Sequence, residues 1–154
     1  MPHGKVWKID YERVVNSGVV VAYIGIPALG VGAEIEMART ANVPVILLCE
    51  TTKQERLSRL ILGSPAVIDI VLFDNPSEFE EPLRKPLFYV FSKRNLEDAA
   101  WEAGWSLPRY RSLERRLEEL LAAGRFRNLP PKPMSKDEWK RIPEPSYQKT
   151  LFER

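Results

Sequence analysis

The sequence predicts an α/β fold in which a parallel sheet has helices on both faces. Three runs of aliphatic, mostly β-branched residues are continuous rather than alternating, which is typical of strands buried on both faces. The three runs are Val19–Ile24, Val45–Leu48 and Val67–Phe73. Helical patterns separate them, and two strand–helix–strand crossovers in succession favour a parallel sheet.

The segments around these strands carry helix signals. Asn16-Ser17-Gly18 would stop a first helix, and Gly63 would stop a later one that Thr51 or Thr52 caps. The glycine- and proline-containing stretch after the first strand is expected to be a loop up to Gly32. The predicted helices of this part are 8–17, Gly32–Ala41, 52–62 and 77–83.

Three regions are predicted along the chain: an α/β core over 1–85, additional elements over 86–124, and a proline-containing basic tail over 125–154. The middle region contains one predicted strand and two predicted helices. These are the strand Leu87–Phe91, and the helices Asn95–Gly104 and Leu107–Ala123, the latter stopped by Gly124. Residues 128–154 are expected to be extended.

Composition places the chain among globular proteins, with 44% hydrophobic and 29% charged residues. No apolar run reaches the roughly 18 residues of a membrane helix, and the first residues do not resemble a signal peptide. We therefore expect a soluble, cytoplasmic protein without a membrane partner. Residues 109–154 hold 12 basic against 7 acidic residues, a surplus that we interpret as a solvated segment rather than a nucleic-acid contact.

The single cysteine, Cys49, excludes an internal disulfide. It ends an apolar run and is expected to be a buried structural thiol. The only histidine is His3, so no metal-ligand cluster is expected. The sequence gives no sign of a cofactor.

The segment Pro27–Glu34 is the most informative one for function. It leaves a buried strand at its carboxyl end, where ligands bind in open α/β sheets. Gly30 and Gly32 allow the backbone to approach a ligand closely, and N–H groups at a helix start favour an anion. Glu34 is predicted to lie in the first helical turn, although the helix dipole favours an acid there in any case.

Together, Val19–Ala22 and Pro27–Glu34 resemble the nucleoside 2-deoxyribosyltransferase family, with the 2'-deoxynucleoside 5'-phosphate N-hydrolases as the most similar branch. The resemblance implies that Glu34 is the nucleophile that cleaves an N-glycosidic bond. It implies that Asp10 contacts the sugar and assists the leaving base, and that the N–H of Gly30 binds the 5'-phosphate. Asp10 would also serve as a helix N-cap.

The resemblance further implies that Ser58 reaches the phosphate in a neighbouring subunit, so that the protein forms a dimer or larger homo-oligomer with shared sites. The hydrolases carry a serine at the position of Ala28, and the loss of that hydroxyl weakens the case for a 5'-monophosphate. Tyr23 is interpreted as a core residue rather than one that reaches the site from its strand end. Arg56 and Arg59, beside Ser58, are interpreted as solvated rather than as phosphate contacts. The expected fold is flavodoxin-like or Rossmann-like, and the expected ligand is a deoxynucleoside or deoxynucleotide, with no cofactor.

Only nine residues precede Asp10, where the family has a strand, a helix and a second strand. Three explanations remain open: a longer natural chain, a second chain that supplies the strand, or a permuted sheet in which Leu87–Phe91 pairs with Val19–Ile24. An alternative function is also open, namely a degenerate family member that binds a nucleotide or a protein without turnover.

Overall fold

The computed structural model describes residues 2–122 and 132–143 of the 154-residue chain. The chain divides into two compact units, Met1–Pro86 and Leu87–Arg154. Among the described helices, none is long and apolar enough to cross a membrane.

The first unit contains a parallel three-stranded sheet in the order β1-β2-β3. Its strands are β1 (Val20–Tyr23), β2 (Val45–Glu50) and β3 (Val67–Phe73). The pairing of β1 with β2 places Val20 opposite Val45 and Tyr23 opposite Leu48. The predicted α/β class and all three predicted strands of this unit are therefore confirmed.

Helices precede and connect these strands. They are α1 (His3–Val15), α2 (Leu29–Thr40), a 3₁₀ helix (Thr51–Arg56), α3 (Arg59–Leu62) and a second 3₁₀ helix (Pro76–Glu78). The prediction of one helix from Thr51 or Thr52 to Leu62 is wrong. Leu57 and Ser58 adopt extended backbone angles, and Leu57 packs against the core, so the segment is broken into two short pieces.

A Schellman motif ends α2. Asn42 has a positive φ of 57°, which asparagine tolerates better than most residues. The N–H of Val43 donates to the carbonyl of Ala38 at 2.8 Å, and the N–H of Asn42 donates to that of Arg39 at 3.2 Å. These two bonds satisfy carbonyls that the end of a helix would leave unpaired, and they direct the chain into β2.

The core of the first unit lies between the helices and one face of the sheet. Val14 of α1 and Ala38 of α2 pack in one cluster with alternate residues of the strands, among them Ala22 and Leu47. Cys49 belongs to the same cluster and is fully buried, as expected, and this burial raises the pKa of its thiol. On the opposite face, residues such as Phe73 are buried too.

The second unit contains most of α4 (Glu80–Ala103), together with α5 (Leu107–Ala122) and α6 (Lys136–Arg141). The predicted strand Leu87–Phe91 is wrong because these residues are helical within α4, and the permuted sheet fails with it. Buried positions recur along α4 at intervals of three or four residues, at Phe88, Ser92, Leu96 and Ala99, which is the period of a helix.

The prediction of an extended tail is wrong for the part that the structure describes. A capping box formed by Ser135 and Glu138 starts α6, and Trp139 is buried to 1% exposure. The indole N–H of Trp139 donates to the carbonyl of Ser92 at 3.0 Å. Gly124 and residues 125–131 and 144–154 of the predicted tail lie outside the described residues.

Candidate functional site

The entrance to α2 forms the centre of the candidate site. Ala28 is the extended N-cap residue and Leu29 is the first helical residue. The predicted start at Gly32 is therefore three residues too late, and Glu34 lies in the second turn of α2 rather than the first. The N–H of Gly32 already donates to the carbonyl of Ala28 at 3.3 Å.

The first N–H groups of α2 remain available because a helix gives them no internal acceptor. These groups belong to Leu29, Gly30 and Val31. A Cβ atom added at Gly30 or at Gly32 would meet nothing within 4 Å. The space beside both glycines is thus open, which leaves room for a ligand to approach the backbone.

Glu34 and Asp10 occupy equivalent positions on neighbouring helices. Glu34 precedes Ala38 by one helical turn, and Asp10 precedes Val14 by one turn, while Val14 and Ala38 share one core cluster. Both carboxylates are half-buried. Asp10 lies in the interior of α1, which begins at His3, so the N-cap role considered for it is wrong.

A cavity of about 860 Å³ lies along the opposite side of α2. Three of the predicted site residues line it: Ala28, Gly32 and Ser58. The residues that line it do not include Asp10, Gly30 or Glu34. The structure therefore separates most of the predicted site residues into two groups, the half-buried carboxylates and the residues around this cavity, with Gly30 in neither.

Most of the cavity wall is apolar, with residues such as Ile35, Leu57 and Ile61. At its polar positions, Arg39 is held by Glu36 at 2.6 Å, and this hydrogen bond lowers the pKa of Glu36. The wall of the cavity also includes Arg56 and Ser64.

Ser58 and Ser64 differ in their surroundings. Ser58 is exposed and precedes α3 without a side-chain capping bond. The Oγ atom of Ser64 is buried and has no hydrogen-bond partner among the residues that the structure describes. A buried hydroxyl without a partner costs about 1–3 kcal/mol, so a bound molecule with a polar group could offset this cost.

A third group of polar side chains includes two residues, Glu50 and Lys53, that the sequence interpretation missed. Tyr23, Glu50 and Lys53 meet at the carboxyl ends of β1 and β2. The hydroxyl of Tyr23 donates to Glu50 Oε1 at 2.7 Å, and Lys53 Nζ lies 3.0 Å from the same oxygen. Tyr23 is therefore not a core residue, and 37% of it is exposed.

The contacts among Tyr23, Glu50 and Lys53 shift the pKa values of Glu50 and Lys53. Hydrogen bonds from Tyr23 and then from Lys53 lower the pKa of Glu50. The hydrogen bond to Glu50 raises the pKa of Lys53. Glu50 is therefore a carboxylate, and Lys53 an ammonium, throughout the neutral pH range.

In the part of the chain that the structure describes, no group of three or more histidine, cysteine, aspartate or glutamate side chains is placed to hold a metal ion. The site residues described above supply carboxylates, hydroxyls, guanidinium groups, the ammonium of Lys53 and backbone N–H groups.

Comparison with known proteins gives one informative similarity. The chain is 28% identical over 78 residues to a protein of Syntrophotalea carbinolica that carries the name "Putative 2'-deoxynucleoside 5'-phosphate N-hydrolase 1". The matched part is 51% of this chain and 54% of that protein, so the chain spans about half the length of the curated relative it matches. No family model matches the chain, and no solved structure matches it.

Proposed function

We propose that this chain, alone or as one subunit, cleaves the N-glycosidic bond of 2'-deoxynucleosides or their 5'-monophosphates, or transfers the sugar to a second base. The observation that carries the proposal is the similarity over 78 residues to a protein named as a 2'-deoxynucleoside 5'-phosphate N-hydrolase. The position of Pro27–Glu34 supports it, since this segment runs from the carboxyl end of β1 into α2.

Glu34 is the proposed nucleophile. One of its carboxylate oxygens attacks the anomeric carbon, and the bond from that carbon to the base breaks with both electrons passing to the base nitrogen. Asp10 orients the sugar and helps to deliver a proton to the leaving base. Water then cleaves the glycosyl ester and releases the deoxyribose, whereas a second base in place of water completes a transfer.

Two structural facts support these roles. Glu34 and Asp10 are both half-buried, and in residues 2–122 and 132–143 neither side chain forms a hydrogen bond or an ion pair that would divert it. The helices that carry them pack through Val14 and Ala38, each one turn further along. A packed helix pair is a rigid support, and rigid support is what positions a nucleophile for in-line attack.

The 5' end of the substrate is proposed to bind near the start of α2. The N–H groups of Leu29 to Val31 favour an anion there. The adjoining cavity brings Ser58 and Arg56 to the same wall as Ala28 and Gly32. Arginine and serine are suited to a phosphate, which offsets in part the missing hydroxyl at Ala28.

A second candidate function is binding without turnover. It is favoured by the separation of the cavity from the carboxylates, because a ligand that fills the cavity does not thereby contact Glu34 or Asp10. The absence of a hydroxyl at Ala28 points the same way. In this case the chain would be a nucleotide-binding or protein-interaction module.

The deciding experiment measures base release from the four 2'-deoxynucleoside 5'-monophosphates and their nucleosides. The wild type is compared with Glu34→Ala, Glu34→Gln and Glu36→Gln, the last of which alters the cavity side of α2. The matched control is Glu12→Gln, an exposed carboxylate two residues after Asp10 on α1. We expect Glu34 variants to lose at least about a thousandfold in kcat/KM with an unchanged circular dichroism spectrum, and the control to remain active.

Three other outcomes would change the conclusion. Normal turnover in both Glu34 variants would eliminate Glu34 as the nucleophile. Loss of turnover in Glu36→Gln alone would move the chemistry to the cavity side of α2. Nucleotide binding by the wild type without release of any base would favour the binding module. Adding a second free base to an active sample would distinguish transfer from hydrolysis.

Assembly into a homo-oligomer is part of the proposal. Leu29 is 97% exposed and Leu60 is 86% exposed, and both line the cavity. Apolar side chains grouped in this way mark interaction surfaces. We expect light scattering to give a dimer or larger species that Leu60→Lys converts to a monomer, while Leu107→Lys in the second unit has no effect. A monomeric wild type would rule this assembly out.

A further inference from the structure

Tyr23, Glu50 and Lys53 form a closed set of contacts that we call the clamp. The hydroxyl of Tyr23 donates to Glu50 Oε1 at 2.7 Å, and it also lies 2.8 Å from Oε2. Lys53 Nζ lies 3.0 Å from Glu50 Oε1 and 3.1 Å from the Tyr23 hydroxyl. Each of the three side chains therefore contacts both of the others.

The backbone of Gly25 lies directly against the clamp. A methyl group at this position would overlap Glu50 Oε2 and the Tyr23 hydroxyl, and it would come within 2.6 Å of the Tyr23 ring carbon Cζ. A side chain at this position would force the ends of the Glu50 and Tyr23 side chains to move, so the clamp as observed requires glycine here. Gly30 and Gly32 show no such contact, so this requirement is specific to Gly25.

Gly25 is the point at which the chain leaves the sheet. The N–H of Ile24 donates to the carbonyl of Leu48 at 2.9 Å, and this is the last bond between β1 and β2 along that direction. Ala28, three residues after Gly25, is the N-cap of α2. A contact that fixes Gly25 therefore fixes the beginning of the short loop that sets the direction of α2.

An isolated exposed ion pair contributes little to stability because water screens it. The clamp differs from such a pair in two respects. The side chain of Glu50 is only 20% exposed, and the contacts join the ends of two strands, because Tyr23 and Glu50 are 27 positions apart in the sequence.

We propose that the clamp is a positioning device: Tyr23, Glu50 and Lys53 hold the Gly25 turn and thereby fix the loop from Gly25 to Ala28 and the first turns of α2. The role in catalysis rests on the proposed function, because the group that benefits is Glu34. The role in ordering the loop does not depend on it. Tyr23, Glu50 and Lys53 act through the backbone and need not touch the substrate.

Hydrogen exchange tests the structural part without any substrate. Amide exchange over residues 24–34 is compared in the wild type, Tyr23→Phe and Glu50→Gln. Glu102→Gln is the matched control, since Glu102 also contacts two lysines, Lys136 and Lys140, but within the second unit. We expect exchange to quicken roughly three- to tenfold in the clamp variants, and to stay at the wild-type rate in the control.

A coupling experiment identifies Gly25 as the point of contact. Gly25→Ala in the wild type pushes the clamp apart and should quicken exchange by a similar factor. In the combined Tyr23→Ala and Glu50→Ala background, the three atoms nearest to the added methyl group are removed, so Gly25→Ala should add much less than it does in the wild type. Fully additive effects, or wild-type exchange in Tyr23→Phe and Glu50→Gln, would overturn the proposal.

Steady-state kinetics test the catalytic part. In an active protein, we expect Tyr23→Phe and Glu50→Gln to lower kcat about tenfold or more while KM changes less than about twofold. Altered exchange with an unchanged kcat would reject the catalytic consequence but keep the loop role. If the wild type releases no base, the proposed function fails, and the exchange results still decide whether the clamp orders the loop.

Discussion

Replacing Gly30 or Gly32 by alanine separates the needs of the fold from the needs of a ligand. Both glycines lie within α2, where glycine costs about 0.5–1 kcal/mol relative to alanine because it has more backbone freedom to lose. Neither has a positive φ, and a Cβ at either position meets nothing within 4 Å. No clash opposes the gain.

We therefore expect Gly32→Ala to raise the free energy of unfolding by about 0.5–1 kcal/mol. Gly30→Ala should give a smaller increase, because Gly30 is the second residue of the helix and is less constrained. Urea unfolding followed by circular dichroism measures both values. The matched control is Ala33→Gly, an exposed position between Gly32 and Glu34, which should lower stability by the same 0.5–1 kcal/mol.

The activity of these variants carries the functional information. If a substrate approaches the backbone at the start of α2, an added methyl group obstructs it, and kcat/KM should fall about tenfold or more although the fold is more stable. The less stable Ala33→Gly should keep normal activity. If the Gly30→Ala and Gly32→Ala variants are both stable and fully active, these glycines are not needed for a ligand to approach the backbone, and the reasoning is refuted.

Two further predictions concern the second unit. Trp139→Ala should lower the free energy of unfolding, measured in urea, by about 3–5 kcal/mol because the side chain is 1% exposed. Trp101→Ala is the control and should change it by less than about 0.5 kcal/mol, since Trp101 is 88% exposed. Equal losses in the two variants would show that α6 does not pack as described. Hydrogen bonds from Lys136 and then Lys140 lower the pKa of Glu102 to about 2. The folded pKa is thus below the unfolded one, so this contribution to stability is complete above about pH 4.5 and is lost as the pH falls towards 2. Glu102→Gln should remove this part of the acid dependence, and an unchanged urea midpoint against pH would contradict the assignment.

The strands of the first unit could be predicted because their signal is local. Val67–Phe73 was predicted with its observed bounds, since a continuous aliphatic run between turn residues has few other interpretations. The start of α2 could not be placed so well. Glycine and proline favour a loop through Gly30, whereas the structure places Gly30 in the first turn of α2, after the extended N-cap residue Ala28.

The segment Leu87–Phe91 shows where local chemistry misleads. Its aromatic and β-branched residues favour a strand, and Pro86 argues against a helix interior. The decisive signal lies further along the chain, where Phe88 is followed by buried Leu96 and Ala99 at helical intervals. Tertiary burial along one side of α4 therefore outweighs the intrinsic preference of five residues.

The clamp could not be predicted from Tyr23 alone. In the sequence, Tyr23 sits inside an apolar run and resembles a core residue, whereas in the structure it faces away from the cluster that contains Ala22. Recognising it requires the register between β1 and β2, which brings the ends of two strands together across 27 residues. A polar residue at the carboxyl end of each of two successive strands, Tyr23 and Glu50, was the available signal.

The two sides of α2 offer different sites, and the helix period separates them. Successive residues differ by about 100° around a helix. Among the residues of α2 that line the cavity, Gly32 and Glu36 therefore lie about 160° from Glu34, whereas Val31 lies about 60° from it. A substrate with its anomeric carbon at Glu34 would reach the cavity past Val31, across the start of α2. The first turn is the only part of α2 that presents unpaired N–H groups, and its two glycines put no side chain in that path.

The same arrangement would leave the cavity empty for a short nucleoside and fill it for a ligand with an extended 5' group. If activity increases with the size of the 5' group, the two sides of α2 belong to one substrate site. If activity does not depend on the 5' group, the cavity instead belongs to the contact between subunits.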